Sequence, residues 1–579
     1  VHAHPKSIED WMNDVRRGKV RLPRFQREET WTPILVSDFI EAVLLKRPLG
    51  IFLVLRVISN QQPFVTRPIA GAVNNGEVCT EHLLDGQQRL MSLWRSFKGT
   101  YENHAFYVEF TKNKNHSYEF KQVRNFAKIK KNLKWIGNPK LEFTEGYIPI
   151  PILEPGNSIA SINWQREATN DEESLKHLAA FVGTLQTTMV ATIIPYLAMP
   201  EETDPDQAID TFIKSNTSSV RLNAFEIAVA QYEAAIPAAR RKSSPSLRDL
   251  VDDIKRKLPK LARLEGQENI GDLAMMVACL KKGHKPTHGN YRKTIKTLEK
   301  DWNSLFKGLQ WTEQFLWDEK IWDPRILPST VPLRVLSALH PFIPNKGDDL
   351  AKAERLLRSY LWRSFVTDRY ERSANSHLFE DFKVIKAALE EKTFAIKRRS
   401  HKQPKNIFEL NLPDEEALIE EGWPTSKGIL KRAILAVSTI KGARDVATHK
   451  NLSDQTVRIR EHHHIFPDNL LKKMAKGEDP NRALNCMLLE APTNNNWRDQ
   501  WPGDYLMERV EKSKPNLKGE RARKAVKNRL ESHLIPSDAI MKAKKGTRTK
   551  VATAYQNFLE KRAKLISGAF RKLCAGEDL

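Results

Sequence analysis

Cysteine is scarce in this chain of 579 residues: Cys79, Cys279, Cys486 and Cys574 are widely separated, and no C-x-x-C pair occurs. That spacing excludes a disulfide framework and a thiolate zinc site, and it fits a reducing compartment. Long apolar runs are also lacking. No uninterrupted stretch approaches the ~20 residues of a membrane span, and the opening segment VHAHPKSIEDW has no apolar signal-peptide core. A cytoplasmic protein without a membrane partner is therefore expected. Acidic residues are outnumbered, with 71 Asp+Glu against 94 Lys+Arg and a net charge of +23. Such a field attracts polyanions, nucleic acid first among them. No G-x-x-x-x-G-K-[ST] pattern is present, which excludes nucleotide chemistry of the P-loop type. Internal repeats and long low-complexity tracts are absent too.

The length calls for two or three domains, and 40% hydrophobic residues can fill their cores. Ser7 caps a predicted helix carrying Ile8, Trp11 and Val15, which ends at Gly18. Pro23 keeps the next segment extended, so Arg24, Gln26 and Arg27 are presented from a loop or strand end. A helix over 38–45, a buried strand over 51–55, strands over 105–110 and 147–152, and a buried strand over 187–195 follow. From Asp206 the pattern turns helical and stays so to about residue 400. The Arg-rich stretches there, including Arg369-Tyr370-Glu371-Arg372 in a helix, read as solvated faces. The polar, proline-containing stretch 397–406 is the best boundary. Three parts are expected: 1–235, a helical connector 236–400, and 401–579. The fold class is α+β and multidomain. From Glu511 to the end, 18 Lys/Arg face 7 Asp/Glu, a surplus of 11 on predicted amphipathic helices that include 555–573.

Two stretches carry candidate chemistry. In Asp85-Gly86-Gln87-Gln88-Arg89 a strand meets a helix through an Asp-Gly turn, and Leu90, Leu93 and Trp94 form the apolar face of that helix. Such a junction aims backbone N–H groups and the positive helix end at whatever lies above it, which suits a phosphate. Arg89 adds a cation, and Asp85 could hold a metal ion or a proton. The plain alternative is a structural turn with a well-capped helix. In 458–497, His462, His463 and His464 precede Ile465-Phe466-Pro467, and Asn485 and Asn494 to Asn496 follow. Histidine and asparagine spaced by a hairpin and the start of a helix can bring one cation and one general base to a scissile phosphate.

The first set, Arg24-Phe25-Gln26-Arg27 with Trp31, DGQQR at 85–89, and Phe212 followed by Asn216-Thr217, resembles the GmrS-type domain, whose fold is ParB/sulfiredoxin-like. The second set, His463-His464-Ile465-Phe466-Pro467, Asn485 and Asn494, is similar to the GmrD-type HNH nuclease domain. Residues 532–536 and Tyr555, Phe558, Leu559, Arg562 and Ala563 resemble its closing segments. The resemblance to GmrSD-type single-chain restriction enzymes, with the BrxU and SspE kinds, implies an anti-phage DNA endonuclease coupled to NTP binding or hydrolysis. The amino-terminal domain would bind nucleotide (ATP, GTP or UTP) through Arg24, Gln26, Arg27, Asp85, Gly86, Gln87, Gln88 and Arg89. The carboxy-terminal ββα-metal domain, embedded in helices, would cut double-stranded, modified phage DNA.

In the register that the family implies, His464 is the base and His463 and Asn494 hold one Mg²⁺ or Mn²⁺. Asn485, counted with the catalytic set, ties the loop by hydrogen bonds. His462 leaves a second register open. Histidine where the family more often has Asp makes the metal site less negative. A phosphorothioate-sensing NTPase and nickase, a nucleotide-gated DNA-binding sensor with weak nuclease activity, and an RNA-directed nuclease are alternative readings, and a homodimer is one expected assembly. The modification read, the preferred NTP and the choice between nicking and double-strand cutting stay open at the level of sequence.

Overall fold

The computed structural model describes residues 3–58, 62–72, 78–113, 117–128, 133–215, 222–240, 243–396, 404–424, 428–446, 448–491, 493, 500–513, 516–541 and 548–579. The chain is α+β and falls into two compact units, Val1–Arg248 and Asp249–Leu579. No described helix is long and apolar enough to cross a membrane.

The first unit is built on a mixed sheet. Its strands are β1 (Ala3–His4), β2 (Val20–Pro23), β3 (Phe52–Arg56), β4 (Thr66–Arg67), β5 (Glu81–Asp85) and, much later, Tyr196–Met199, which pairs between β1 and β3. The order places β3 and β5 in the middle, antiparallel to one another, with β2 parallel to β5 on the far side. Phe52, Leu53, Val54 and Leu55 are all buried, as a central strand covered on both faces requires.

Helix α1 (Ile8–Arg17) starts at a capping box, in which Ser7 Oγ accepts from Asp10 N at 3.1 Å, and stops at left-handed Gly18. It buries Ile8, Trp11 and Val15, and Trp11 Nε1 donates to Ile194 O at 3.0 Å. Helices α2 (Pro33–Leu44) and α3 (Gln87–Lys98) add Val36, Ile40, Leu90, Leu93 and Trp94 to the same core. A second sheet is fully antiparallel: β6 (His104–Lys112) lies between β7 (Tyr118–Ala127) and β8 (Tyr147–Pro149).

Two expectations fail here for local reasons. The segment 187–195, rich in β-branched residues, is mostly helical: the helix Glu172–Ala191 is capped by Asp171, whose carboxylate accepts from Ser174 N at 2.8 Å. Leu178, Val182, Leu185 and Met189 recur at helical spacing and are buried, so burial of that face overrides strand propensity. The strand follows only at Tyr196. Residues 147–152 give a strand of three residues, because Pro149 and Pro151 carry no N–H and the chain turns into the 3₁₀ segment Ile150–Leu153.

The second unit is mostly helical. Helix His288–Asp318 packs on Pro332–Leu339, and Gly347–Val366 packs on the last helix, Arg548–Cys574. Arg369 is not on a solvated helical face. It lies in the turn between Gly347–Val366 and Ala374–Glu390, where it is buried and pairs with Asp381 at 3.2 Å and Glu380 at 2.9 Å. Tyr360 and Tyr370 share a 2.8 Å hydroxyl contact, and Tyr370 donates to Asp381 at 2.8 Å. A two-stranded antiparallel sheet, β9 (Arg460–His464) and β10 (Cys486–Glu490), completes the unit.

His82, on β5, is fully buried beside Arg21 and near the Phe64 ring; burial, then Arg21, pushes its pKa down to about 3. The ring is neutral in the fold, whereas the unfolded chain protonates it near 6.5. Its contribution to stability is complete above that value and is lost as pH falls toward 3. His82→Phe should narrow the gap between the urea midpoints of the first unit at pH 7.5 and pH 5. An unchanged gap would remove His82 from the acid sensitivity.

Candidate functional site

The DGQQR turn lies where β5 ends. Gly86 has φ +99°, and a Cβ there would sit 2.2 Å from the Phe52 ring, so only glycine lets the chain pass from β5 into α3 at this point. No side chain caps the first turn of α3. Its positive end opens instead into a cavity of about 250 Å³ lined by Gln26, Arg27 and residues 85–89, with Phe25, Trp31, Phe212, Glu226 and Arg248 among its other walls.

The polar side chains of the turn are mostly occupied in shaping that cavity. Gln87 Nε2 donates to Arg27 O at 2.6 Å, and Gln88 Oε1 accepts from Thr30 N at 2.8 Å and Trp31 N at 3.2 Å. Arg89 donates to Leu49 O at 2.8 Å and Ile51 O at 3.1 Å, and lies 3.6 Å from Asp85. Asp85 accepts from Gly86 N at 2.7 Å; burial raises its pKa, and Arg89 pulls the other way. Burial likewise lowers the pKa of Arg89.

Gln26 is held by Leu84 O at 3.1 Å through Nε2, while its buried Oε1 has no protein partner. Arg27 stands 3.6 Å from Glu226, and Arg24 is tied to Glu233 at 2.7 Å and Ser244 O at 3.0 Å. Arg24 is not part of the cavity wall; it anchors the loop that carries Gln26 and Arg27. The segment Asn216-Thr217 lies outside the described residues. Sequence reasoning missed Glu226 and Arg248. Glu226 reads as a helix-capping residue, which it also is, accepting from Asn223 N at 2.8 Å, and Arg248 reads as one more surface cation.

The second candidate is the β9–β10 hairpin. Successive residues of a strand face opposite sides. His462 and His464 share one face, with the Trp423 ring 6.5 Å from the first and stacked 4.0 Å from the second. His463 projects to the other side and is buried. His464 Nε2 lies 3.1 Å from Asn481 Oδ1. Burial lowers the His464 pKa from 6.5 and Asn481 opposes the shift, so burial favours the neutral imidazole. His462 is shifted the same way by burial and by Arg325, and its Nε2 is buried without a partner.

Asn485 is fully buried. It accepts from Phe466 N at 2.8 Å and donates to Phe466 O at 3.0 Å and Pro480 O at 2.9 Å. Arg562, from the last helix, donates to Leu484 O, to Cys486 O at 2.9 Å and to His533 O at 3.3 Å, which holds the segment on both sides of Asn485. Burial pushes the Arg562 pKa down to about 10. Arg460, at the start of β9, is buried against Asp445 at 2.9 Å. Asn494 lies outside the described residues. Among the described residues no three His, Cys, Asp or Glu side chains converge as a metal cage. Trp423 and Asn481 were missed, because neither has a sequence signal linking it to the histidines.

Residues 8–233 match the family described as "GmrSD restriction endonuclease, N-terminal domain". The first unit carries a GmrSD-type amino-terminal domain. This supports a restriction endonuclease of the GmrSD type, with DNA as its partner. The whole chain is also similar to "Uncharacterized protein MJ0686" of Methanocaldococcus jannaschii, at 22% identity over 598 aligned positions covering 97% of each chain. The GmrSD-type match spans the cavity walls from Gln26 to Glu226 and leaves the hairpin outside it.

Removing the Arg562 guanidinium strands three buried carbonyls, at about 1–3 kcal/mol each where no water replaces it. Arg562→Met should lower the stability of the second unit by about 3 kcal/mol, read as a shift in its urea midpoint while the first unit unfolds as before. An unshifted midpoint would mean that Arg562 is not what holds the Asn485 segment.

Proposed function

We propose that the chain is an NTP-regulated, modification-dependent DNA endonuclease of anti-phage defence. The observation that carries this reading is the uncapped amino terminus of α3 opening into the 250 Å³ cavity within the GmrSD-type domain. Backbone N–H groups of residues 87–89 would take the phosphates of ATP, GTP or UTP, Arg27 and Arg248 would balance their charge, and Phe25 or Trp31 would face the base. Asp85 would orient water or a bound cation at the same end.

On the hairpin, His464 accepts a proton from the attacking water, held in place by Asn481 and by the Trp423 face. His463 and Asn494 would hold a divalent ion; an imidazole and an amide without thiolates suit Mg²⁺ or Mn²⁺ kept partly hydrated. The ion would supply charge stabilisation at the scissile phosphate. Asn485 shapes the loop through its three hydrogen bonds to backbone. The unpartnered Nε2 of His462 keeps a second register open, in which His462 holds the ion and His463 is the base.

Plasmid cleavage, with modified and unmodified DNA and with each NTP, tests the reading. His464→Ala should abolish cutting while NTP turnover persists; full cutting by this variant would remove His464 as the base. His462→Ala should retain activity, and its loss would establish the second register. Asp85→Asn should remove the nucleotide response without disturbing basal cutting. Because burial holds the His464 pKa below 6.5, the acid limb of the cleavage rate should fall below pH 6.5. A limb centred above that value would point to another base.

A further inference from the structure

A second cavity, of about 310 Å³, opens at the other end of α3, where Arg95, Ser96 and Gly99 form part of its wall. That volume is at the lower end of small-ligand sites. Phe106, Tyr107 and Trp164 give it aromatic sides, and Glu142 sits in it almost fully buried. Glu142 Oε1 accepts from Tyr107 Oη at 2.9 Å and Gly137 N at 2.7 Å, and Oε2 accepts from Trp164 Nε1 at 2.7 Å. A carboxylate has about four acceptor positions, so one on Oε2 is open. Among the described residues no Lys or Arg pairs with Glu142. The Ser96 hydroxyl, on a residue only 3% exposed, has no hydrogen-bond partner.

A buried carboxyl group with a spare lone pair is costly unless a ligand uses it. The rim has the opposite sign. Lys128 is exposed at the cavity and donates to Tyr101 O at 2.6 Å.

An acceptor at the floor, flat aromatic walls and the Lys128 cation at the mouth fit a planar ring that has an amino group at one edge and a phosphate at the other. We propose that this cavity receives an amino-bearing nucleobase, cytosine or adenine, with its phosphate at the Lys128 rim. Glu142 accepts from the exocyclic amino group, as carboxylates do from cytosine N4, and the aromatic side chains stack. The base comes either from a free nucleotide or from a nucleotide extruded from DNA. The second source rests on the endonuclease reading; the pocket chemistry does not.

The test uses the full chain in EDTA, which prevents cutting. Binding of dCMP, dAMP and dTMP is measured by calorimetry, together with binding of a short fluorescent duplex carrying a C·A mismatch or fully paired. We expect dCMP to bind about tenfold more tightly than dTMP, with the preference lost in Glu142→Gln. Ala105→Phe fills the cavity and abolishes binding, while a fluorescent NTP at the DGQQR site is held as before. Preference for the mismatched duplex, lost in Ala105→Phe, assigns an extruded base; dCMP binding without that preference assigns a free nucleotide. The proposal is overturned if neither dCMP nor dAMP binds, or if binding is unchanged in Ala105→Phe. Loss of NTP response with intact dCMP binding would instead count against the DGQQR reading alone.

Discussion

The first unit depends on one steric constraint, the contact between Gly86 and the Phe52 ring. Two central strands, β3 and β5, are pressed together so closely that no Cβ fits at the exit of β5. The chain therefore turns at positive φ and starts α3 at once, with nothing in front of its first amides. A capping Ser or Asp would satisfy those N–H groups and close the site. Glycine has no side chain to do so. The polar residues of the motif then do supporting work: Gln87, Gln88 and Arg89 bond to backbone of three neighbouring segments and keep the mouth of the cavity in shape.

The same helix joins the two cavities. At twelve residues α3 is about 18 Å long, with the 250 Å³ cavity at its start and the 310 Å³ cavity near its end. Between them Leu90, Leu93 and Trp94 lock the helix into the core. Close-packed helices move as rigid pieces rather than bending, so whatever fills one cavity bears on a body that also walls the other.

In the second unit, buried arginines take the place of a larger hydrophobic core around the hairpin. Arg562 gathers three carbonyls, Arg460 pairs with Asp445, and Arg529 donates to Val446 O at 2.7 Å. Each guanidinium satisfies backbone groups that an irregular loop would otherwise strand without water. The loop around Asn485 can thus be irregular and buried together.

The strand–turn–helix at 81–98, the capped α1 and the last helix were all legible, because each carries its own periodicity or a turn residue with a single function. The segment 187–195 was not, since its β-branched run has a strand-like local preference that only the burial of Leu178 to Met189 overrules. Arg369 misled in the same way: nothing adjacent to it announces Asp381. Sequence alone determined which stretches are candidates for chemistry, a Gly where no cap is allowed and three histidines before a proline, because those signals lie within a few residues. Tertiary structure alone decided what surrounds them: Arg248 and Glu226 at one cavity, Ser96 and Glu142 at another, Trp423 against His464. These partners are distant along the chain and are brought together by packing, which no local pattern encodes.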